Sequence, residues 1–318
     1  DPTDIDRLFR SSIGHLAAAI YARSLINEKG APPPFLPADV ANAVAADGGI
    51  LEPHNIQREK GAILGSSLTF CAIDPRFSEP LSLSGLLYDK QKFVDELTGI
   101  KRRDLDGDTA YATGDLFDTD SPDRELARYV FELYQNGYED GNRRRADKKA
   151  IIPGLRFISI RKHIAANLPY LKGYARGFEE LSDYVSRRHA RAQALKYYEV
   201  AVSDQGLGML DRFLIDRPEY AAQANTRVER LNLLRRLLTE SLTSKKGADG
   251  AGGGLVRAMR AAKELNGFVS IRTGEFWLYC SFPETASGKG AELVEVACAA
   301  PTPPVAGTHF NALFPLRK

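Results

Sequence analysis

FELYQNGYEDG, residues 131–141, closes a run whose apolar residues recur at helical spacing, and its reading decides the rest of the chain. The run opens at Ser121 or Asp123, both suited to cap a helix N-terminus. Leu126, Val130, Leu133 and Tyr134 then mark one apolar face. Glu132, Asn136 and Glu139 or Asp140 stand three to four residues apart, so a helix stacks their side chains along one stripe. That stripe sets a carboxylate beside a neutral amide oxygen. A carboxylate can orient or deprotonate a water. An amide oxygen is a hard ligand suited to magnesium, which keeps several waters and takes the rest of its shell from phosphates. The same spacing also describes an ordinary solvated helix face, so the stripe gains meaning only from what surrounds it.

A length of 318 residues suits one large domain or two modest ones. The formal net charge of +2 provides no strongly basic domain to act as a footprint for nucleic acid. No apolar run reaches the length of a membrane span, and no signal peptide is visible. Cys71, Cys280 and Cys298 are far apart and form no CxxC pair. They read as buried thiols in a reducing cytosol, so the expected location is cytoplasmic. The sequence opens on Asp1 rather than Met, which allows for residues in front of it.

Residues 1–118 read as a mainly helical N-terminal region. An amphipathic helix over 4–28 carries Ile5, Leu8, Phe9, Ile13, Leu16 and Ile20 and ends at Gly30 and the APPPF of 31–35. A short helix at 38–46, a strand at 66–73 and helical spacing over 83–97 follow. The polar, Asp- and Gly-rich stretch 99–120 marks the boundary. Its Asp104, Asp106 and Asp108 lack the glycine position and the distal Glu of a calcium loop.

From 119 onward strands and helices alternate with loops. RRRADKK at 143–149 is a solvated basic loop or a phosphate contact. A strand at 155–161 and a helix at 169–190 come next. The β-rich run 196–203 then breaks into Asp204-Gln205-Gly206-Leu207-Gly208-Met209. An aspartate at a strand tip can accept from an exocyclic amine such as that of adenine, and the glycines free the following backbone to turn or to approach a planar ring. The pattern is equally that of a simple turn. Residues 219–243 are expected as one long helix, with Val228, Leu231, Leu234, Leu237, Leu238 and Leu242 as its apolar face. Lys245, Lys246, Gly250, Gly252, Gly253 and Gly254 follow, and the helix opening at Leu255 begins there. Such a loop is either a flexible linker or a phosphate cradle at a helix N-terminus. A hairpin over 268–282 and a closing strand from Gly307-Thr308 to Leu316 complete the chain.

Four signals now stand in order: E-x-x-x-N at Glu132 and Asn136; D-x-G-x-G at Asp204, Gly206 and Gly208; G-x-G-x-G-L at Gly250–Leu255; and G-T-x-F at Gly307–Phe310. Together they resemble the ATP-binding domain shared by gyrase, the ninety-kilodalton heat-shock chaperone, histidine kinases and mismatch-repair ATPases (the GHKL superfamily, or Bergerat fold), over residues 122–316. The resemblance implies an α+β fold: a two-layer sandwich with a mixed, mostly antiparallel sheet and helices on one face, occupying 119–318. It implies ATP and Mg2+ as ligands. Glu132 matches the general base, Asn136 the magnesium ligand, Asp204 the reader of the adenine amino group and Thr308 the residue fixing a water beside it. Gly206, Gly208 and Met209 would shape the adenine pocket, and Gly250, Gly252, Gly253, Gly254 and Leu255 the phosphate cradle. Residues 210–249 would form a lid over the nucleotide, with Lys245 and Lys246 in reach of the γ-phosphate. The family's Asn-Ala is Asn136-Gly137 here, its usual Asp three residues beyond is Glu139, and Gln205 replaces the common Asn. These departures leave the roles of Glu139 and Asp140 open.

The function implied is Mg-dependent ATP hydrolysis coupled to a conformational or dimerisation switch, with a protein partner or a second copy as the other player. A histidine kinase is one alternative. It needs a phosphoacceptor, and His15 alone fits by location, with Leu16 where an acidic residue is usual. A nucleotide-gated interaction module without significant turnover is the other. No transducer segment follows the closing strand in this sequence, which disfavours a topoisomerase or chaperone.

Overall fold

The computed structural model describes residues 50–56, 65–72, 89–102, 121–137, 156–165, 175, 178–189, 195–204, 206–240, 242, 253–282, 292–297 and 304–316. Its strands are β1 (Ile50–Ile56), β2 (Gly65–Ala72), β3 (Arg156–Ala165), β4 (Leu195–Asp204), β5 (Phe268–Gly274), β6 (Phe276–Ser281), β7 (Val294–Glu295) and β8 (Val305–Pro315). They form one sheet in the order β1-β2-β3-β4-β8-β5-β6-β7. Every described pairing is antiparallel, so the chain is α+β, but its sheet is not mixed.

The helices are α1 (Lys90–Ile100), α2 (Pro122–Asn136), α3 (Glu179–His189), α4 (Met209–Asp216), α5 (Arg227–Thr239) and α6 (Gly254–Glu264). Ser121 caps α2 and Pro122 takes its first position, where a missing N–H removes no helical bond. Residues opposite one another in an antiparallel pair share a face. Tyr198 faces with Phe314, Val200 with Ala312 and Val202 with Phe310, and Ile158 and Ile160 extend the row on β3. Against this face α2 and α6 bury Leu126, Val130, Leu133, Ala258 and Ala262. Tyr129 meets the Phe314 ring edge-on at 5.0 Å.

The expectation of helices on one face does not hold. Tyr197, Phe268 and Leu313 point to the opposite side of the sheet, where Tyr184 and Val185 of α3 cover them. β4 and β8 carry apolar residues at successive positions there (Tyr197 beside Tyr198, Leu313 beside Phe314), and a sheet apolar on both faces needs cover on both.

Ahead of 119, residues 1–49, with the expected helix over 4–28, lie outside the described residues. β1 and β2 join the same sheet through β3, and α1 packs its Phe93 edge-on against Phe131 of α2 at 5.2 Å. β1 escapes sequence reading because Pro53 lies inside it. An edge strand tolerates proline, and the pairing shifts register between Leu51 and His54.

The single helix expected over 219–243 is broken. Pro218–Gln223 is a 3-10 turn, and α5 begins afresh at a capping box between Thr226 and Glu229. This phase leaves Val228 at 66% exposure and brings Leu233 into the core in its place. Of the segment expected as a lid, α4 and α5 are built into the core through Phe213, Leu231, Leu234, Leu237 and Leu238.

Candidate functional site

Asp204 ends β4 in a buried setting. Its Oδ1 accepts from the Gly206 N–H at 2.9 Å, which ties the carboxylate to the turn that follows. The Gly206 carbonyl in turn accepts from Gly307 N–H at 2.6 Å. Gly307 has φ +73°, and a Cβ there would stand 1.9 Å from the Asp204 carbonyl oxygen. Gly208 has φ +84° and precedes α4. Met209, the first residue of that helix, donates its N–H to Thr273 Oγ1 at 3.0 Å. The Thr273 hydroxyl also lies 3.3 Å from the Gly307 carbonyl and 3.2 Å from Thr308 Oγ1. One hydroxyl on β5 therefore ties the start of α4 to the start of β8.

Between α2 and the ends of β4 and β8 lies a narrow cleft with about 10 Å³ of room, enough for about one water. Leu133, Val202 and Phe310 form its apolar wall, while Asn136, Asp204 and Thr308 supply its polar side. Gly137 at the end of α2 lies against Asp204: a Cβ there would stand 3.4 Å from Asp204 Cβ, in ordinary van der Waals contact.

One helical turn before Asn136, Glu132 is 2% exposed and faces α6. Gly253 precedes α6 at φ +134°, and a Cβ on Gly254 would come within 3.2 Å of Glu132 Oε2. Gly253 and Gly254 thus bring a helix N-terminus to the carboxylate. Arg257, in the first turn of α6, holds Glu132 in a two-point bond, Nε to Oε1 at 2.8 Å and Nη2 to Oε2 at 2.9 Å. Lys90 at the start of α1 adds a third bond to Oε1 at 2.5 Å. The carboxylate holds the Arg257 guanidinium above its ordinary pKa range.

The structure therefore brings Asn136, Asp204 and Thr308 into one cleft; Gly206, Gly208 and Met209 are not among its lining residues, and Gly206 and Met209 connect to it through Asp204 and Thr273. The structure also sets Glu132 and Gly254 in contact beside that cleft, with Gly253 next to them and Leu255 packed partly into the core. Glu139, Asp140, Lys245, Lys246, Gly250 and Gly252 lie outside the described residues, as do His15, the aspartates of 104–108 and the basic stretch 143–149. Sequence reading missed Thr273, Lys90 and Arg257. Arg257 alone had a signal, since it falls one turn into a helix that a glycine-rich loop opens.

No protein-family model, curated protein or solved structure matches this chain.

The donor set is one that a purine nucleotide and one magnesium ion can use, but the cleft holds little more than a water and must widen to admit a purine ring. The cleft joins an apolar wall to a buried carboxylate able to accept from an amine. Among the described residues no group of three or more His, Cys, Asp or Glu could hold a metal alone. A single amide oxygen at Asn136, with phosphates and water completing the shell, is the ligand set magnesium tolerates. No helix among the described residues is long and apolar enough to cross a membrane.

Proposed function

We propose that this chain is a Bergerat-type ATP-binding domain that hydrolyses ATP with magnesium, its cycle driving a conformational change or association with a partner or second copy. One observation carries the reading. Asn136, Asp204 and Thr308, from three separate motifs, line one cleft, and Glu132, one turn from Asn136, meets the helix that the glycine-rich stretch opens.

In this reading Asp204 accepts from the adenine amine, and the Thr308 hydroxyl, held beside Thr273, fixes a water next to it. Leu133, Val202 and Phe310 take the face of the ring. The first N–H groups of α6, unpaired within the helix, suit the phosphates. Asn136 holds the magnesium, which when bound neutralises phosphate charge. Glu132 accepts a proton from the water that attacks the γ-phosphorus.

A nucleotide-gated module without turnover has one observation in its favour: the Glu132 carboxylate is already engaged by Arg257 and Lys90. Phosphate release and ATP binding measured together separate the two. Turnover in the wild type, abolished in Glu132→Ala with binding retained and with binding weakened in Asp204→Asn, supports hydrolysis. Binding without turnover supports the gated module, and a folded protein that binds no ATP ends both.

A further inference from the structure

Glu132 is almost fully buried, yet the two cations on it are open to solvent, Arg257 at 48% and Lys90 at 44% side-chain exposure. Oε1 accepts from both Lys90 and Arg257 Nε, while Oε2 accepts from Arg257 Nη2 and lies against the Gly254 backbone. A carboxylate oxygen offers about two lone pairs, so Oε1 is filled and Oε2 keeps one. The lone pair left on Oε2 is crowded by Gly254, so a water gains room at Glu132 when one of the cations draws away.

Arg257 is the cation placed for that. It sits in the first turn of α6, immediately after the glycines expected to cradle phosphate, and its backbone N–H bonds the Gly253 carbonyl at 2.7 Å. Only a ligand that offers a guanidinium a matching set of anionic oxygens competes with a two-point carboxylate bond. A terminal phosphate does, because its three oxygens and double charge fit the planar fork. Lys90 comes from a different helix, α1, and keeps Glu132 paired while Arg257 is away. The buried carboxylate is therefore never left without a counter-charge, which would be costly.

Resting on the ATP reading above, we infer that Arg257 is the residue that binds the terminal phosphate of ATP, and that it does so by releasing Glu132. The contact that recognises a triphosphate is then the one that frees the base. Afterwards the water gives its proton to Glu132, its oxygen bonds the γ-phosphorus, and the bond to the bridging oxygen breaks with its electron pair leaving on ADP. The products are ADP and phosphate. ADP lacks the group that triggers the exchange and leaves the Arg257–Glu132 bond in place.

The test is the affinity for ATP against ADP, each with magnesium, in the wild type, Arg257→Ala, Glu132→Gln and the double variant. Wild type should prefer ATP. Arg257→Ala should lose about tenfold or more in ATP affinity, the scale of a charged hydrogen bond, with ADP affinity retained as the control for folding. Glu132→Gln, isosteric and so a second route if Arg257→Ala fails to fold, should gain ATP affinity. That gain should shrink in the double variant, because an arginine no longer held by a carboxylate is its source. An unchanged ATP-to-ADP ratio in Arg257→Ala, or no gain in Glu132→Gln, would overturn the exchange while leaving the nucleotide reading intact. Wild type that binds neither nucleotide would remove the nucleotide reading itself, and the inference with it.

Discussion

Gly307 on β8 and Asp204 at the tip of β4 are locked together so closely that a Cβ on Gly307 would lie 1.9 Å from the Asp204 carbonyl oxygen and 2.9 Å from its Oδ1. Both atoms belong to the residue proposed to read adenine, and the first cannot move without shifting the strand. The φ of +73° at Gly307 adds a backbone conformation that L side chains rarely adopt. Gly307→Ala is expected to destabilise the protein by about 3 kcal/mol or more, within the range of strained-backbone substitutions. Any folded remainder should bind ATP poorly. An unchanged urea midpoint would show that the strand ends can part, contrary to this geometry.

Thr273 acts through hydrogen bonds, so its loss can be isolated by shape. Thr273→Val keeps the volume but removes the acceptor of the Met209 N–H and the partner of Thr308. The expected cost is about 1–2 kcal/mol in denaturant unfolding. Thr273→Ser, which keeps the hydroxyl, should recover most of it. Equal losses in the two variants would assign the effect to the methyl group.

Lys101 is buried beneath α2, where its ammonium lies 2.8 Å from the Tyr198 hydroxyl, 2.8 Å from Asp123 and 4.2 Å from the Tyr198 ring centre. Asp123 also pairs with Arg102 at 2.8 Å. Removing the carboxylate takes an anion from a buried cation, so Asp123→Ala should cost about 3 kcal/mol. Lys101→Met removes the buried charge itself and should cost less. The ranking is what thermal unfolding must reproduce, and the reverse order would mean that the lysine stem, not the ion pair, carries the stability.

How far the sequence revealed this arrangement differs from residue to residue. Glu132 and Asn136 were legible because one helix fixes their spacing whatever else the chain does. Asp204 was legible because a β-rich run ending in aspartate and glycines marks a strand tip. The bonds on Glu132 were hidden, since Lys90 is 42 residues and Arg257 125 residues away in the chain. Only the packing of α1 and α6 on α2 brings them together. The second sheet face was hidden for a related reason. An apolar strand run shows that both sides are covered, but not that α3 supplies the cover. The break before α5 turned on Thr226 and Glu229, a capping signal outweighed by the leucine periodicity that continues through it.

His309 supplies a pH test independent of the nucleotide. It sits next to Thr308 on β8 but faces the other side of the sheet, with Nδ1 2.9 Å from Ser203 Oγ. Burial, helped by the nearby Arg272 charge, pushes its pKa down to about 4. In the unfolded chain the imidazole binds its proton near pH 6.5. Between about pH 6.5 and pH 4 the unfolded state thus holds more protons than the folded one, so stability rises with pH across that window. The contribution is complete above pH 6.5 and is lost progressively on acidification down to pH 4, for a total of about 2–3 kcal/mol. Urea unfolding measured from pH 8 to pH 4 should show this slope, and His309→Gln should flatten it. If wild type and variant lose stability in parallel over that range, His309 is protonated in the folded protein as readily as in water.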